Sequence, residues 1–272
     1  MSTRAYTPEE IVQQTLNSSV KKVKKPFIIS FLLGILAGAF IGLGALFYTI
    51  VKSDETFSFA TKQIFGGFVF SLGLILVVVA GAELFTGNNL IAIAWAEKRV
   101  TTKQMIRNWV IIFFSNMIGA LSLVFMIYLS GHFEMNNGTI AKAYVKMAEA
   151  KCSLPFTTAF FRGLLCNILV CLGVWMAMGG KTVTDKILAI VFPITLFVAA
   201  GFEHSIANLF IIPMGLLLQN SYEIDILTKE LSISGMLNNL IPVLLGNVVG
   251  GSILVGLMYH FIFLKTKKHT DS

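Results

Sequence analysis

The chain has 272 residues, 56% of them hydrophobic and 13% charged, with a mean hydropathy of +0.79. A soluble domain has no interior large enough for that much apolar surface, so a soluble enzyme or nucleic-acid-binding domain is excluded, and most of the chain must face lipid or other helices. The net charge of +7 is gathered at the ends of apolar stretches, which makes it a topology signal and not a footprint for a polyanion.

The N-terminal segment, residues 1–25, opens with Thr7-Pro8-Glu9-Glu10, a capping box with proline at the first helical position. Val12, Leu16, Val20 and Val23 then recur at helical spacing beside lysines. The pattern predicts an amphipathic helix on the cytoplasmic membrane surface. No signal peptide is visible, because no short apolar run with a cleavage site follows the first residues.

A six-helix transmembrane domain is expected over residues 26–264, with a basic cytoplasmic tail at 265–272. Six stretches within it are long enough to span: Phe27–Val51, Gln63–Ala96, Asn108–Phe133, Thr157–Met178, Ile187–Gln219 and Leu237–Leu264. A span needs about 20 apolar residues, so the second and fifth are too long for one simple crossing. Basic residues collect on one side: Lys21, Lys22, Lys24 and Lys25; Lys98, Arg99, Lys103 and Arg107; Lys181 and Lys186; Lys265, Lys267 and Lys268. The other side carries Asp54, Glu55, Glu223, Asp225 and Glu230. The positive-inside rule then places both termini of a multi-pass protein in the cytoplasm. The segment between the third and fourth stretches, with Lys142, Lys146, Lys151 and Cys152, is expected to be an extracytoplasmic loop. Three cysteines make no disulfide framework, and neither a metal-ligand spacing nor a cofactor loop appears, so no metal and no cofactor are expected.

The two overlong stretches share a pattern. Glu83-Leu-Phe-Thr86-Gly87-Asn88 lies in one and Glu203-His204-Ser205-Ile-Ala-Asn208 in the other. In each, an acid precedes an asparagine at a depth where polar groups are expensive. Two further pairs fall in the same order: Gly34 and Gly44 with Gly163 and Gly173, and Asn108, Asn116 and Gly119 with Asn239, Asn247 and Gly250. A repeat unit of three spans starts its second copy from the opposite side, so the halves are inverted and their two interrupted helices meet near mid-membrane. Duplication for packing alone explains the glycines, but not an acid at both breaks.

The runs Ala82-Glu83-Leu84-Phe85-Thr86-Gly87-Asn88-Asn89 and Gly201-Phe202-Glu203-His204-Ser205-Ile206-Ala207-Asn208, with Pro213-Met214-Gly215, Pro242 and Gly246-Asn247 after them, resemble the formate/nitrite transporter family of formate, nitrite and hydrosulfide channels. The resemblance covers nearly the whole chain. It implies an all-α membrane protein with an aquaporin-like fold: six transmembrane helices in two inverted three-helix repeats, helices 2 and 5 broken. It implies a homopentamer with one pore per protomer, a central His204, Thr86 in the helix 2 loop, an extracytoplasmic Lys151, and Asn167 on the fourth helix. It also implies apolar constrictions from Phe70, Leu74, Leu84 and Phe197. The run Thr86-Gly87-Asn88-Asn89 looks more like the nitrite and hydrosulfide branches, which points away from formate as sole substrate.

The residues suit that chemistry. His204 can donate to an anion or carry a proton near neutral pH. A half-helix that starts at a break presents free N–H groups, and Gly87 lets the backbone turn there. Glu83 and Glu203 repel anions and are assigned to the loops, with Asn88 and Asn208 as supports. Glu203 is expected to couple to Lys151 and Asn167. Arg162 is a second basic group near Lys151, or only a headgroup contact. The expected function is a passive or proton-linked pathway for a small weak-acid anion (formate, nitrite or hydrosulfide), with lipid as the other partner and no nucleic acid. The competing reading is an aquaporin-like pore for neutral solutes, against which no Asn-Pro-Ala run appears. An enzyme is disfavoured because Ser205 and His204 are neighbours on one helix and point apart.

Overall fold

The computed structural model describes residues 4–220 and 230–265. Glu223 and Asp225, and the basic tail beyond Lys265 with Lys267 and Lys268, lie outside the described residues. Among the described residues all regular structure is helical.

Four crossings run without a break, at Phe27–Ser53, Thr102–Leu129, Phe156–Gly179 and Ile233–Lys265. The second is a helix over Phe59–Gly81 that stops and resumes as a tight turn over Gly87–Ile91 and a short helix over Ala92–Ala96. The fifth is made of two pieces, Val183–Ala199 and Ser205–Leu218, neither of which is long enough alone. Each break follows a glycine in the left-handed region, Gly81 at φ +87° and Gly201 at φ +69°. Glycine is the residue that takes this conformation without a Cβ penalty, and it turns the chain out of the helix.

The halves repeat in their packing too. A Cβ on Gly119 of the third span would overlap the Ile35 carbonyl of the first, and one on Gly250 of the sixth would overlap the Leu164 carbonyl of the fourth. In lipid, helices associate through such close backbone approach and not through water expulsion. Large apolar side chains such as Phe125, Phe192 and Leu129 stay exposed on the outside of the bundle, as lipid permits.

Two segments differ from expectation. The connection between the third and fourth spans is a helix, Thr139–Cys152, and not a loop. Ile140, Tyr144 and Ala148 form its buried face against the half-helix Ser205–Leu218, where Gly215 leaves room for Ala148. Lys142 and Lys146 lie on its exposed face. The N-terminal helix, Pro8–Lys24, has the expected capping box, but its apolar face is buried on the protein and not in lipid. Val12 and Leu16 pack with Leu90, Ile91 and Trp175, and the Tyr6 N–H donates to the Gly179 carbonyl.

Candidate functional site

The two breaks are held by one hydrogen-bond scheme used twice. At the first, Glu83 N–H donates to the Leu33 carbonyl. The Asn116 amide donates to the carbonyls of Gly34 (2.8 Å) and Glu83 (2.9 Å), and its oxygen accepts from Phe85 N–H at 2.8 Å. At the second, Glu203 N–H donates to the Arg162 carbonyl. The Asn247 amide donates to Gly163 (2.7 Å) and Glu203 (3.1 Å), and its oxygen accepts from Ser205 N–H at 3.0 Å. An asparagine from the last span of each repeat thus supplies what the interrupted helix lacks. Irregular backbone at membrane depth is tolerated only when its groups are satisfied in this way.

The carboxylates follow the same scheme. Asn88 donates to Glu83 Oε2 (2.9 Å) and Asn108 Oδ1 (3.0 Å). Asn208 donates to Glu203 Oε2 (2.6 Å) and Asn239 Oδ1 (2.7 Å). Glu83 pairs with Lys22 at 2.8 Å and also with Lys25, and Glu203 pairs with Lys151 at 2.9 Å. Both carboxylates are almost fully buried. A buried carboxylate needs these partners, because desolvating an unpaired charge costs far more than any surface contact returns.

The scheme departs from symmetry where the two breaks meet. The residue after the acid is Leu84 in the first and His204 in the second. Nδ1 of His204 accepts from Ala207 N–H at 3.1 Å and so caps the half-helix Ser205–Leu218. A backbone N–H can only donate, so Nδ1 carries no proton, the ring is neutral, and Nε2–H donates to Thr86 Oγ1 at 2.9 Å. One side chain therefore closes one half-helix and reaches across to the other break.

Cavities open on both sides of this contact. The one beside the N-terminal helix, the near vestibule, has a volume of about 510 Å³, with Leu74 and Leu84 at its inner end and Lys22, Lys181 and Lys186 on its walls. The far vestibule, about 280 Å³, is lined by Phe70, Phe197 and His204, with Lys52, Lys151 and Arg162. The Phe70 and Phe197 rings meet edge to face at 5.6 Å, and the Phe197 ring lies 6.0 Å from that of His204. Leu74 and Leu84 thus line the near vestibule, Phe70, Phe197 and His204 the far one, and His204 reaches Thr86 of the first break.

The structure thus brings together His204, Thr86, Glu203 and Lys151, the four apolar residues, and Glu83, Asn88 and Asn208. Gly87 begins the turn after Thr86 and lines the near vestibule. Asn167 is a correction. Its amide donates to Asn89 Oδ1 (2.7 Å) and to the carbonyls of Asn247 (2.7 Å) and Thr86 (3.3 Å). It is fully buried and ties the first break to the sixth span, while Glu203 takes its contacts from Lys151, Asn208 and Asn239. Sequence reasoning missed Lys22 and Lys25 as the partners of Glu83, having assigned them to topology alone. Asn108, Asn116, Asn239 and Asn247 were visible as repeated positions, but their role as clamps was not.

The chain matches the Formate/nitrite transporter family over residues 9–261. It belongs to that family. It is 39% identical over 281 residues to Formate channel FocA of Haemophilus influenzae, covering 99% of this chain and 98% of that one. Among solved structures, it resembles a pentameric formate channel with formate bound, at 38% identity and a TM-score of 0.79, covering 88% of this chain and 98% of the other. An aquaglyceroporin from Plasmodium falciparum, at 15% identity and a TM-score of 0.56, shares the fold alone. The protein is a multi-pass membrane protein with an aquaporin-like fold, and its family is one of transporters.

Proposed function

We propose that the protein conducts small monovalent weak acids, formate first among them, through a pore in each protomer of a homopentamer. Formate leads because the relatives are named formate channels, which outweighs the contrary pointer from the Gly87-Asn88-Asn89 run. Nitrite and hydrosulfide are the further candidates. The N-terminal helix and the near vestibule face the cytoplasm, with both termini on that side, and residues 26–264 form the channel domain.

The observation that carries this reading is the 2.9 Å contact between His204 and Thr86, set between two lysine-bearing vestibules. Lysines at the mouths raise the local concentration of anions. A bare anion does not pass the Leu74–Leu84 and Phe70–Phe197 constrictions easily, since an unpaired charge is costly to desolvate. In such a place the protonated form of a weak acid is favoured, and it crosses neutral, with His204 and Thr86 as the polar station between the constrictions. Neutral-solute passage gives no reason for lysines at both mouths.

The test is stopped-flow uptake of formate, nitrite and hydrosulfide into proteoliposomes, with glycerol in parallel and His204→Ala as control. Flux of one or more of the three acids, reduced in the variant, is expected. Glycerol flux alone, indifferent to His204, would contradict the reading.

A further inference from the structure

The pseudo-symmetry of the two breaks fails at one atom outside the pore's central contact. Beside the first break, Asn88 Oδ1 accepts a hydrogen bond from Lys22 Nζ at 2.7 Å, and the same ammonium donates to Glu83 Oε2 at 2.8 Å. Beside the second, Lys151 takes the other carboxylate oxygen, Oε1, at 2.9 Å. Among the described residues nothing takes the place of Lys22. Asn208 Oδ1 is fully buried and has no hydrogen-bond partner among the described residues. The amide cannot be reversed to cure this, because both its N–H groups are engaged, with Glu203 Oε2 and Asn239 Oδ1. A buried acceptor left unpaired is costly, and each such group in a folded protein asks for an explanation.

Asn208 and Glu203 both line the far vestibule. A cation is a poor occupant, since Lys52, Lys151 and Arg162 already line that cavity against one acid. A carboxylate anion is also poor at this edge, because Glu203 Oε2 repels it and it has no proton to give. We propose that Asn208 Oδ1 and Glu203 Oε2 form a subsite for the O–H of the neutral, protonated weak acid, whose second oxygen takes a hydrogen bond from Lys151. The subsite accepts where the substrate donates, and so separates the protonated acid from its anion before the Phe70–Phe197 constriction. It deepens the proposed function and rests on it for the identity of the ligand.

Formamide is the probe. It is a neutral isostere of formic acid, with N–H donors in place of the O–H and no ionisation near neutral pH, whereas N,N-dimethylformamide has no donor. External formate uptake into proteoliposomes is measured at fixed pH against each amide. In the wild-type protein formamide is expected to inhibit at a concentration about tenfold lower than the dimethyl compound, the scale of one charge-assisted hydrogen bond. Asn208→Leu should abolish that preference. Glu203→Gln takes the charge from the second acceptor and should shrink the preference, which serves if the leucine variant does not fold. Equal inhibition by the two amides in the wild type, or a preference that survives Asn208→Leu, overturns the subsite. Absence of formate uptake would overturn the proposed function instead. Protein-mediated entry of formamide itself, read by light scattering against the dimethyl compound, then decides the subsite by the same preference and the same variants.

Discussion

His204 shows how much one side chain does at the centre of the molecule. Its Nδ1 caps a half-helix and its Nε2 reaches Thr86 across the two breaks, so the ring is fixed from both ends before any substrate arrives. Replacing a capping side chain costs about 1 kcal/mol, and loss of the Thr86 contact adds to that, so His204→Ala should fold and melt lower. Residues outside the pore are as informative. Cys152 closes the helix beside the far vestibule, and burial pushes its thiol from 9.0 up to about 11. The thiolate is the reactive form, so at pH 7.5 this cysteine should label with maleimide far more slowly than a denatured control, as mass spectrometry would read. Complete labelling of the folded protein within minutes would contradict it. The same shift has a sign for stability. The neutral thiol is favoured in the folded state, so its contribution is present below pH 9 and is lost as pH rises from about 9 through about 11.

The broken helices explain which parts of the chain were legible. The breaks could be read because each places Glu and Asn inside an apolar run, where neither residue is cheap; that Gly81 and Gly201 open them with a left-handed turn came from the structure. The clamping asparagines could be found as repeats, though their partners are main-chain groups of another span, which no spacing reveals. The helix Thr139–Cys152 escaped because, at 14 residues and with Lys142, Lys146, Glu149 and Lys151 in it, it is too short and too polar for a span. The glycines make a graded prediction. A Cβ on Gly201 meets nothing within 4 Å, so Gly201→Ala costs only the left-handed backbone, about 1–2 kcal/mol. A Cβ on Gly119 would overlap the Ile35 carbonyl, so Gly119→Ala must push two spans apart. Thermal melts in detergent should put Gly119→Ala well below Gly201→Ala. The reverse order would mean that the first and third spans do not approach as described.

At the scale of the whole molecule, the N-terminal helix is part of the channel. Lys22 and Lys25 reach from it to Glu83, deep in the first break, and its apolar face closes on Leu90, Ile91 and Trp175. Removing both ammonium groups leaves a nearly buried carboxylate unpaired, which costs about 3–5 kcal/mol in buried pairs and less here because both lysines are partly exposed. The double variant Lys22→Ala, Lys25→Ala should therefore melt well below the wild type, and adding Glu83→Gln should recover part of the loss. No recovery would mean that the helix is held by its apolar face alone. The far end of the pore has its own lysine, Lys151, on the same kind of carboxylate, so the molecule meets a substrate from either side with a cation backed by a buried acid.

That arrangement makes a commitment about the species that crosses. The most direct test is simultaneous recording of lumenal pH and formate uptake in proteoliposomes, at zero and at imposed membrane potential. Passage of the neutral acid predicts one proton with each formate and a rate insensitive to voltage. A voltage-driven formate current with no accompanying proton movement would contradict the account and make the pore a channel for the bare anion.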